Sequence, residues 1–155
     1  MKALEKAKFV QTLKEGDEET IIYSGTVGGL DCDIYYCFIK NKFLMGAYYF
    51  TEEHTNKSVY IDDYKTVLSS LKDKYGKPTV EDYEWLNDLY RDDISEWGFA
   101  VSLGHLKYYA NWKFSNGSIF TVLKGDNYKI SHIVRYSTDD YEIEKEEIKN
   151  TSNEF

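Results

Sequence analysis

The sequence predicts an α+β domain in which an antiparallel β-sheet of about seven strands is covered on one face by one or two helices. Three observations support this fold class. Apolar residues alternate with polar ones over residues 20–51, recur every three or four positions from residue 60, and alternate again in the last third of the chain. Runs of strands on either side of a helical block are typical of α+β proteins. The expected order of elements is βββ-αα-ββββ.

The first three strands are predicted within residues 20–51. The segments TIIYSGTV, CDIYYCFI and FLMGAYYF are rich in β-branched and aromatic residues, and turn candidates separate them at residues 28–29 and 40–42. Cys32 and Cys37 lie in the second of these strands, and their odd spacing points their side chains to opposite faces. The two cysteines therefore cannot form a disulfide with each other.

Helical spacing begins at Tyr60. A stripe of apolar residues follows intervals of three and four and ends at the helix-stopping Gly-Lys-Pro of residues 76–78. A second, shorter helix is predicted from Thr79 to about Asp93, because apolar residues continue at the same spacing. The first stripe consists of Ile61, Tyr64, Val67, Leu68, Leu71 and Tyr75, and the second of Tyr83, Leu86, Leu89 and Tyr90.

Four more strands are predicted in the segments GFAVSL, HLKYYANWKF, SIFTVLK and YKISHIVRYS, with a hairpin at Asn116-Gly117. Successive side chains of a strand point to opposite faces of the sheet. This alternation predicts that Trp112 and His132 face the core, and that Lys107 and Arg135 share the solvent face.

Residues 1–155 are predicted to form a single domain, with an acidic helix or tail over residues 138–155. The chain is 42% hydrophobic and 17% aromatic, which favours a globular class. No segment contains the roughly 18 uncharged apolar residues that a membrane-spanning helix requires, and the N-terminal residues lack the apolar run of a signal peptide. We therefore expect a cytoplasmic protein that does not interact with a membrane.

The formal net charge of −8 hides a basic segment. Residues 105–137 carry five basic side chains against the single acid Asp126, whereas residues 52–104 and 138–155 are strongly acidic. Basic and aromatic side chains alternate on the predicted solvent face of this segment. That face is either an ordinary solvated sheet surface or a binding surface for an anionic or planar ligand or a protein. The candidate ligand-binding residues are Lys107, Tyr109, Lys113, Lys129, Arg135 and Tyr35.

The sequence contains no arrangement that is typical of catalysis. His54, His105 and His132 lack the spacing of a metal-binding motif and are interpreted as structural residues. Asp31 and Asp33 share one strand face, but two carboxylates beside a glycine turn are usually solvated. We therefore assign no catalytic residue, no metal site and no cofactor, and favour a binding protein over an enzyme.

Three functions are compatible with these observations. The first is a non-catalytic interaction domain that binds a protein partner through its sheet face or an aromatic groove. The second is binding of a small anionic or nucleotide-like ligand by the basic aromatic face. The third is an acidic inhibitor, of bacterial or phage origin, that mimics nucleic acid. Duplex DNA is not an expected partner, because the acidic segments would repel its phosphates.

Overall fold

Antiparallel strands dominate the computed structural model, which describes residues 7–141. The first four strands form a meander in which each strand pairs with the next. These strands are β1 (Lys8–Glu15), β2 (Glu18–Val27), β3 (Leu30–Ile39) and β4 (Lys42–Phe50). Helix α1 (Ser58–Tyr75) follows the meander.

The second half of the chain adds four strands to the same sheet. They are β5 (Val80–Trp85), β6 (Leu106–Phe114), β7 (Gly117–Asp126) and β8 (Lys129–Thr138). A 3₁₀ turn (Ile94–Glu96) and helix α2 (Trp97–Ser102) lie between β5 and β6. The strand order is β1-β2-β3-β4-β8-β7-β6-β5, so β4 and β8 join the two halves and β1 and β5 form the edges.

Helix α1 agrees with the predicted stripe. Four of the six residues of that stripe are buried against the sheet, and Gly76 ends the helix with φ 82°. Glycine adopts this left-handed conformation without the steric cost that a Cβ would impose. The indole N–H of Trp112 in β6 donates a hydrogen bond of 2.8 Å to Gly76 O, which fixes the end of α1 on the sheet.

The main core lies between the two helices and one face of the sheet. Alternation in β6 and β8 places Trp112 and His132 on this face, as predicted, and both are buried. Leu123 of β7 is opposite Tyr108 of β6 and His132 of β8, so the three strands present one continuous buried surface. The fold class is therefore α+β, and the elements assigned within residues 7–141 are eight strands, the helices α1 and α2, and one 3₁₀ turn.

The prediction of a second helix over residues 79–93 is wrong. Residues 80–85 form the edge strand β5, which pairs with β6 from Val80↔Asn111 to Trp85↔Leu106, and the chain then turns. The apolar spacing that predicted a helix also fits a short strand followed by a loop, because four residues cannot fix the period. The exposed backbone edge of β6 selects the strand, which is a tertiary effect that local spacing does not encode.

Two further expectations differ from the structure. The segment GFAVSL was expected to be a strand but forms most of α2, which is buried against α1 and strands β6 to β8. A short apolar run cannot be assigned to a strand or a buried helix from its composition alone. Strand β1 was not predicted, because both of its faces are exposed and its residues show no apolar alternation.

Three other predictions concern the two cysteines, membrane-spanning helices and the acidic C-terminal segment. Cys32 and Cys37 are both free and buried, and the strand pairing places them on opposite faces of the sheet. No helix within residues 7–141 is long and apolar enough to cross a membrane. Most of the predicted acidic segment over residues 138–155 lies outside the described residues.

Candidate functional site

All six predicted ligand-binding residues lie on the sheet face opposite the helices. Cross-strand pairing defines the rows of this face: Tyr109 is opposite Val122, whereas Arg135 is opposite both Phe120 and Ala47. Ala47 is in turn opposite Tyr35, so Arg135 and Tyr35 belong to one row. We call this surface the far face.

The basic residues of the far face are not grouped into one cluster. Lys107 Nζ lies 4.0 Å from Glu84 Oε2, and Lys129 is the cross-strand partner of Asp126. Lys107 and Lys113 are six residues apart on the same strand, which corresponds to about 20 Å at the usual rise per residue. The structure therefore brings together only part of the predicted site.

Arg135 is at the centre of those predicted site residues that the structure does bring together. Its guanidinium carbon lies 5.8 Å from the ring centroid of Phe120, a distance typical of a cation–π contact. Tyr35 makes an edge-to-face contact with Tyr49 at 4.9 Å. Arg135 Nε and Asn111 Oδ1 are buried and have no hydrogen-bond partner among the described residues. This row offers planar side chains and one cation.

A second candidate site is formed by β5 and the segment that follows it. We call residues 80–96 the acidic edge, because they carry seven carboxylate side chains against the single cation Arg91. Among residues 7–141, eleven large apolar side chains are exposed, and five of them lie here with 47% to 75% of their surface accessible. These five are Val80, Tyr83, Leu86, Leu89 and Ile94.

The acidic edge is held in place by its own hydrogen bonds and by α2. The indole N–H of Trp97 donates to Arg91 O at 3.1 Å, and Asp93 Oδ1 accepts from the backbone N–H of Ser95 at 3.1 Å. Tyr90 packs edge-to-face on Phe99 with ring centroids 5.6 Å apart. Leu86 and Leu89 are therefore exposed in a segment that has a defined conformation.

A cleft of about 580 Å³ lies beside the acidic edge, between α1 and strands β5 and β6. We call it the aromatic cleft, because Tyr83, Trp97 and Tyr108 form one of its walls. The ring centroid of Tyr83 lies 5.9 Å from that of Tyr108 and 6.3 Å from that of Trp97. Lys72 of α1 also lines the cleft, and its Nζ lies 2.6 Å from Glu81 Oε1.

Burial controls the protonation of the phenols around this cleft. Desolvation raises the pKa of the Tyr108 hydroxyl to about 12, and raises the pKa of the Tyr64 hydroxyl further. Tyr64 Oη is buried and has no hydrogen-bond partner among the described residues. Both phenols are therefore neutral at physiological pH, and the cleft receives no negative charge from them.

The histidines form no catalytic arrangement with the neighbours that the structure describes. His54 Nε2 lies 2.6 Å from Asp63 Oδ2. Within residues 7–141, no serine or threonine hydroxyl and no cysteine thiol is hydrogen-bonded to this pair. His132 is buried between Phe50 and Tyr64, with ring centroids at 4.3 and 5.7 Å. Within the same residues, no group of three or more His, Cys, Asp or Glu side chains could hold a metal ion.

The acidic edge was missed at the level of sequence because its residues were assigned to a helix whose apolar stripe would be buried. The signal that could have identified it is the combination of two acidic pairs, at residues 81–82 and 92–93, with apolar residues that lack a matching buried strand pattern. Comparison of the chain with family models, curated protein sequences and solved structures found no match.

Proposed function

We propose that the chain is a non-catalytic interaction domain and that its acidic edge docks on a basic surface of a partner protein. The observation that carries this proposal is the concentration of exposed apolar side chains on one short, acidic segment at the edge of the sheet. Large exposed apolar patches that are surrounded by polar residues are typical of protein interfaces.

The conformation of the acidic edge supports tight binding. Leu86 and Leu89 are held by hydrogen bonds of their backbone N–H groups, which Leu86 donates to His105 O at 2.7 Å and Leu89 donates to Asn87 Oδ1 at 3.0 Å. A preordered surface loses little conformational entropy when it binds, so more of the interaction free energy appears as affinity. The apolar side chains would supply most of that energy, since a few central residues usually dominate an interface.

The charge of the acidic edge selects the chemistry of the partner. Seven carboxylates lie within residues 80–96, and only Arg91 opposes them from within the segment. A partner with lysine and arginine at its surface would be attracted at long range, and like charges would repel an acidic protein. The partner is therefore expected to be basic at the contact surface.

The aromatic cleft provides a place for an anchoring side chain of the partner. Its wall of Tyr83, Trp97 and Tyr108 suits an arginine guanidinium, which stacks on aromatic rings and pairs with carboxylates. Asp82 lines the same cleft and would compensate the charge of the guanidinium, whereas Glu81 is already paired with Lys72. An inhibitor that mimics nucleic acid is the special case in which the partner is itself a nucleic-acid-binding protein.

Serine substitutions at three apolar positions of the acidic edge should weaken partner binding strongly. We expect the combined Leu86→Ser, Leu89→Ser and Ile94→Ser variant to lose at least ~30-fold in affinity, because interface hot spots contribute 2 kcal/mol or more. The immobilised wild-type chain is first used to isolate a partner from the source cell. Binding of the purified partner to the wild type and to the variant is then measured by calorimetric titration. Competition with duplex DNA in the same titration identifies the nucleic-acid mimic.

The opposite edge of the sheet supplies a matched control. Strand β1 also exposes Phe9, Val10 and Leu13, and serine at these three positions removes comparable apolar surface. This control should bind the partner as the wild type does.

The Asp92→Asn and Glu96→Gln variant should associate with the partner about tenfold more slowly at low salt. Equal loss of binding in both triple variants, or a partner that is acidic at its contact surface, would contradict the proposal.

A second candidate function is binding of a small anionic ligand on the far face. The observation that favours it is the pairing of Arg135 with Phe120, which combines a cation with a ring on which a nucleotide base can stack. We expect Arg135→Gln to reduce the affinity for a nucleoside triphosphate by about tenfold, because one charge-assisted contact is lost. Lys124→Gln, on the same face but outside the candidate site, is the control, and calorimetric titration is the measurement. Equal affinities in the two variants would exclude the row of Arg135 and Tyr35 as the site.

A further inference from the structure

An apolar cavity of about 270 Å³ lies between α1 and strands β3, β4 and β8. We call it the Gly46 pocket. Aromatic rings from Tyr36, Phe43, Tyr75 and Tyr136 contribute to its walls, and Gly46 of β4 forms part of its floor. The pocket is on the helix side of the sheet. The residues that line it include none from the acidic edge and none of the basic residues of the far face.

Gly46 lines the pocket with backbone atoms alone, because it has no side chain. It is opposite Tyr36 on β3 and Tyr136 on β8, so it lies between two large side chains in the middle of the sheet. A Cβ at this position would meet Phe43 Cζ at 3.5 Å and Tyr36 Cδ1 at 3.6 Å, which are ordinary contacts. Neither steric crowding nor a left-handed backbone requires glycine here. Glycine within a strand often marks a place where a ligand approaches the backbone closely.

The walls of the pocket select a neutral molecule. None of the ten described residues that line it carries a charged side chain, and the phenol groups are its main polar atoms. Burial raises the pKa of the Tyr36 and Tyr48 hydroxyls above the ordinary value, so both are neutral at physiological pH. A charged ligand would lose its hydration without gaining an opposite charge.

The shape and volume select a planar aromatic molecule of two fused rings. An apolar cavity of about 150 Å³ accommodates benzene, and the Gly46 pocket is larger at about 270 Å³. The rings of Phe43 and Tyr136 are stacked on each other, parallel within 6° and with centroids 6.3 Å apart, and a planar ligand ring can extend such a stack. We propose that the Gly46 pocket binds a neutral bicyclic aromatic compound, independently of partner binding at the acidic edge.

Calorimetric titration with indole tests this proposal. We expect saturable binding to the wild-type chain with a Kd of about 1 mM or lower, given the size of indole. Gly46→Val places its side chain in the pocket and should weaken indole binding by at least about tenfold. Indole-3-acetate should bind at least about tenfold more weakly than indole, because its carboxylate must be desolvated.

Two further variants separate pocket filling from general damage. Ser24→Val adds bulk to an exposed position of β2 outside the pocket and should leave indole affinity unchanged. Gly46→Ala should weaken indole binding while it raises the unfolding midpoint by about 1–4 °C, since alanine restricts the unfolded chain. Absence of saturable binding to the wild type, or equal affinity of wild type and Gly46→Val, would overturn the proposal.

Discussion

Replacement of Gly98 by alanine should destabilise the fold by about 3 kcal/mol. Gly98 is the second residue of α2, where this short helix crosses the N-terminal end of α1. A Cβ at this position would overlap the backbone of Lys57 and Ser58 and would lie 2.6 Å from Lys57 O. Backbone atoms cannot rotate away as a side chain can, so the two helices would have to separate.

The same substitution should also weaken partner binding. Helix α2 begins at Trp97, and the indole N–H of Trp97 holds the acidic edge through Arg91 O. Displacement of α2 would release this contact and loosen the part of the acidic edge beside α2, which includes Ile94. Urea unfolding gives the change in stability, and titration with the purified partner gives the change in affinity.

Gly46→Ala is the matched control, because it is the same chemical change at a strand position where the new Cβ makes only ordinary contacts. It should raise the free energy of unfolding by about 0.5–1 kcal/mol. A Gly98→Ala variant as stable as the wild type would show that α1 and α2 can separate without cost. That result would contradict the role of their close contact in positioning the acidic edge.

Local pattern was sufficient to predict the elements whose period is long and uniform. Helix α1 repeats its apolar stripe over four turns, and strands β6 and β8 alternate over nine and ten residues. For this reason the inward direction of Trp112 and the shared face of Lys107 and Arg135 followed from the sequence. The alternation within each strand depends only on neighbours along the chain, whereas the shared face also requires that β6 and β8 both pair with β7.

The acidic edge depends instead on a contact between distant residues. Tyr83, Leu86 and Leu89 satisfy helical spacing, yet β5 is a strand because β6 offers it a free backbone edge. Edge strands are often protected from unwanted pairing by charged side chains, and Glu81, Asp82 and Glu84 supply such charges in β5. The acidity of this strand therefore has a structural use as well as the proposed role in binding.

The Gly46 pocket could not be predicted for a related reason. Its floor forms because Gly46 is paired with Tyr136, a residue 90 positions later in the chain, and α1 covers only part of the sheet beside it. The sequence indicates that Gly46 interrupts an apolar strand. It does not indicate which side chains surround the space that the missing side chain leaves. Sites that arise from long-range pairing require the tertiary structure.

The stability of the protein should fall as the pH decreases from about 6.5 to 4, and His132 should account for a large part of the change. His132 is 4% exposed, and its buried ring stacks on Phe50. Desolvation lowers the pKa of His132 from 6.5 to about 4. Between these values the unfolded chain binds a proton that the folded chain does not bind, so protonation favours unfolding.

The expected size of this effect is about 3 kcal/mol, fully present as stability above pH 6.5 and lost as the pH approaches the pKa of the folded state. His132→Phe keeps a planar ring against Phe50 and removes the titrating group. Urea unfolding of both proteins at several pH values between 7 and 4 should therefore give a steeper loss for the wild type than for His132→Phe. His54 and His105 remain in both proteins and cancel in the comparison. Parallel profiles would mean that His132 is protonated in the folded state, and that the core beneath α1 tolerates a charge.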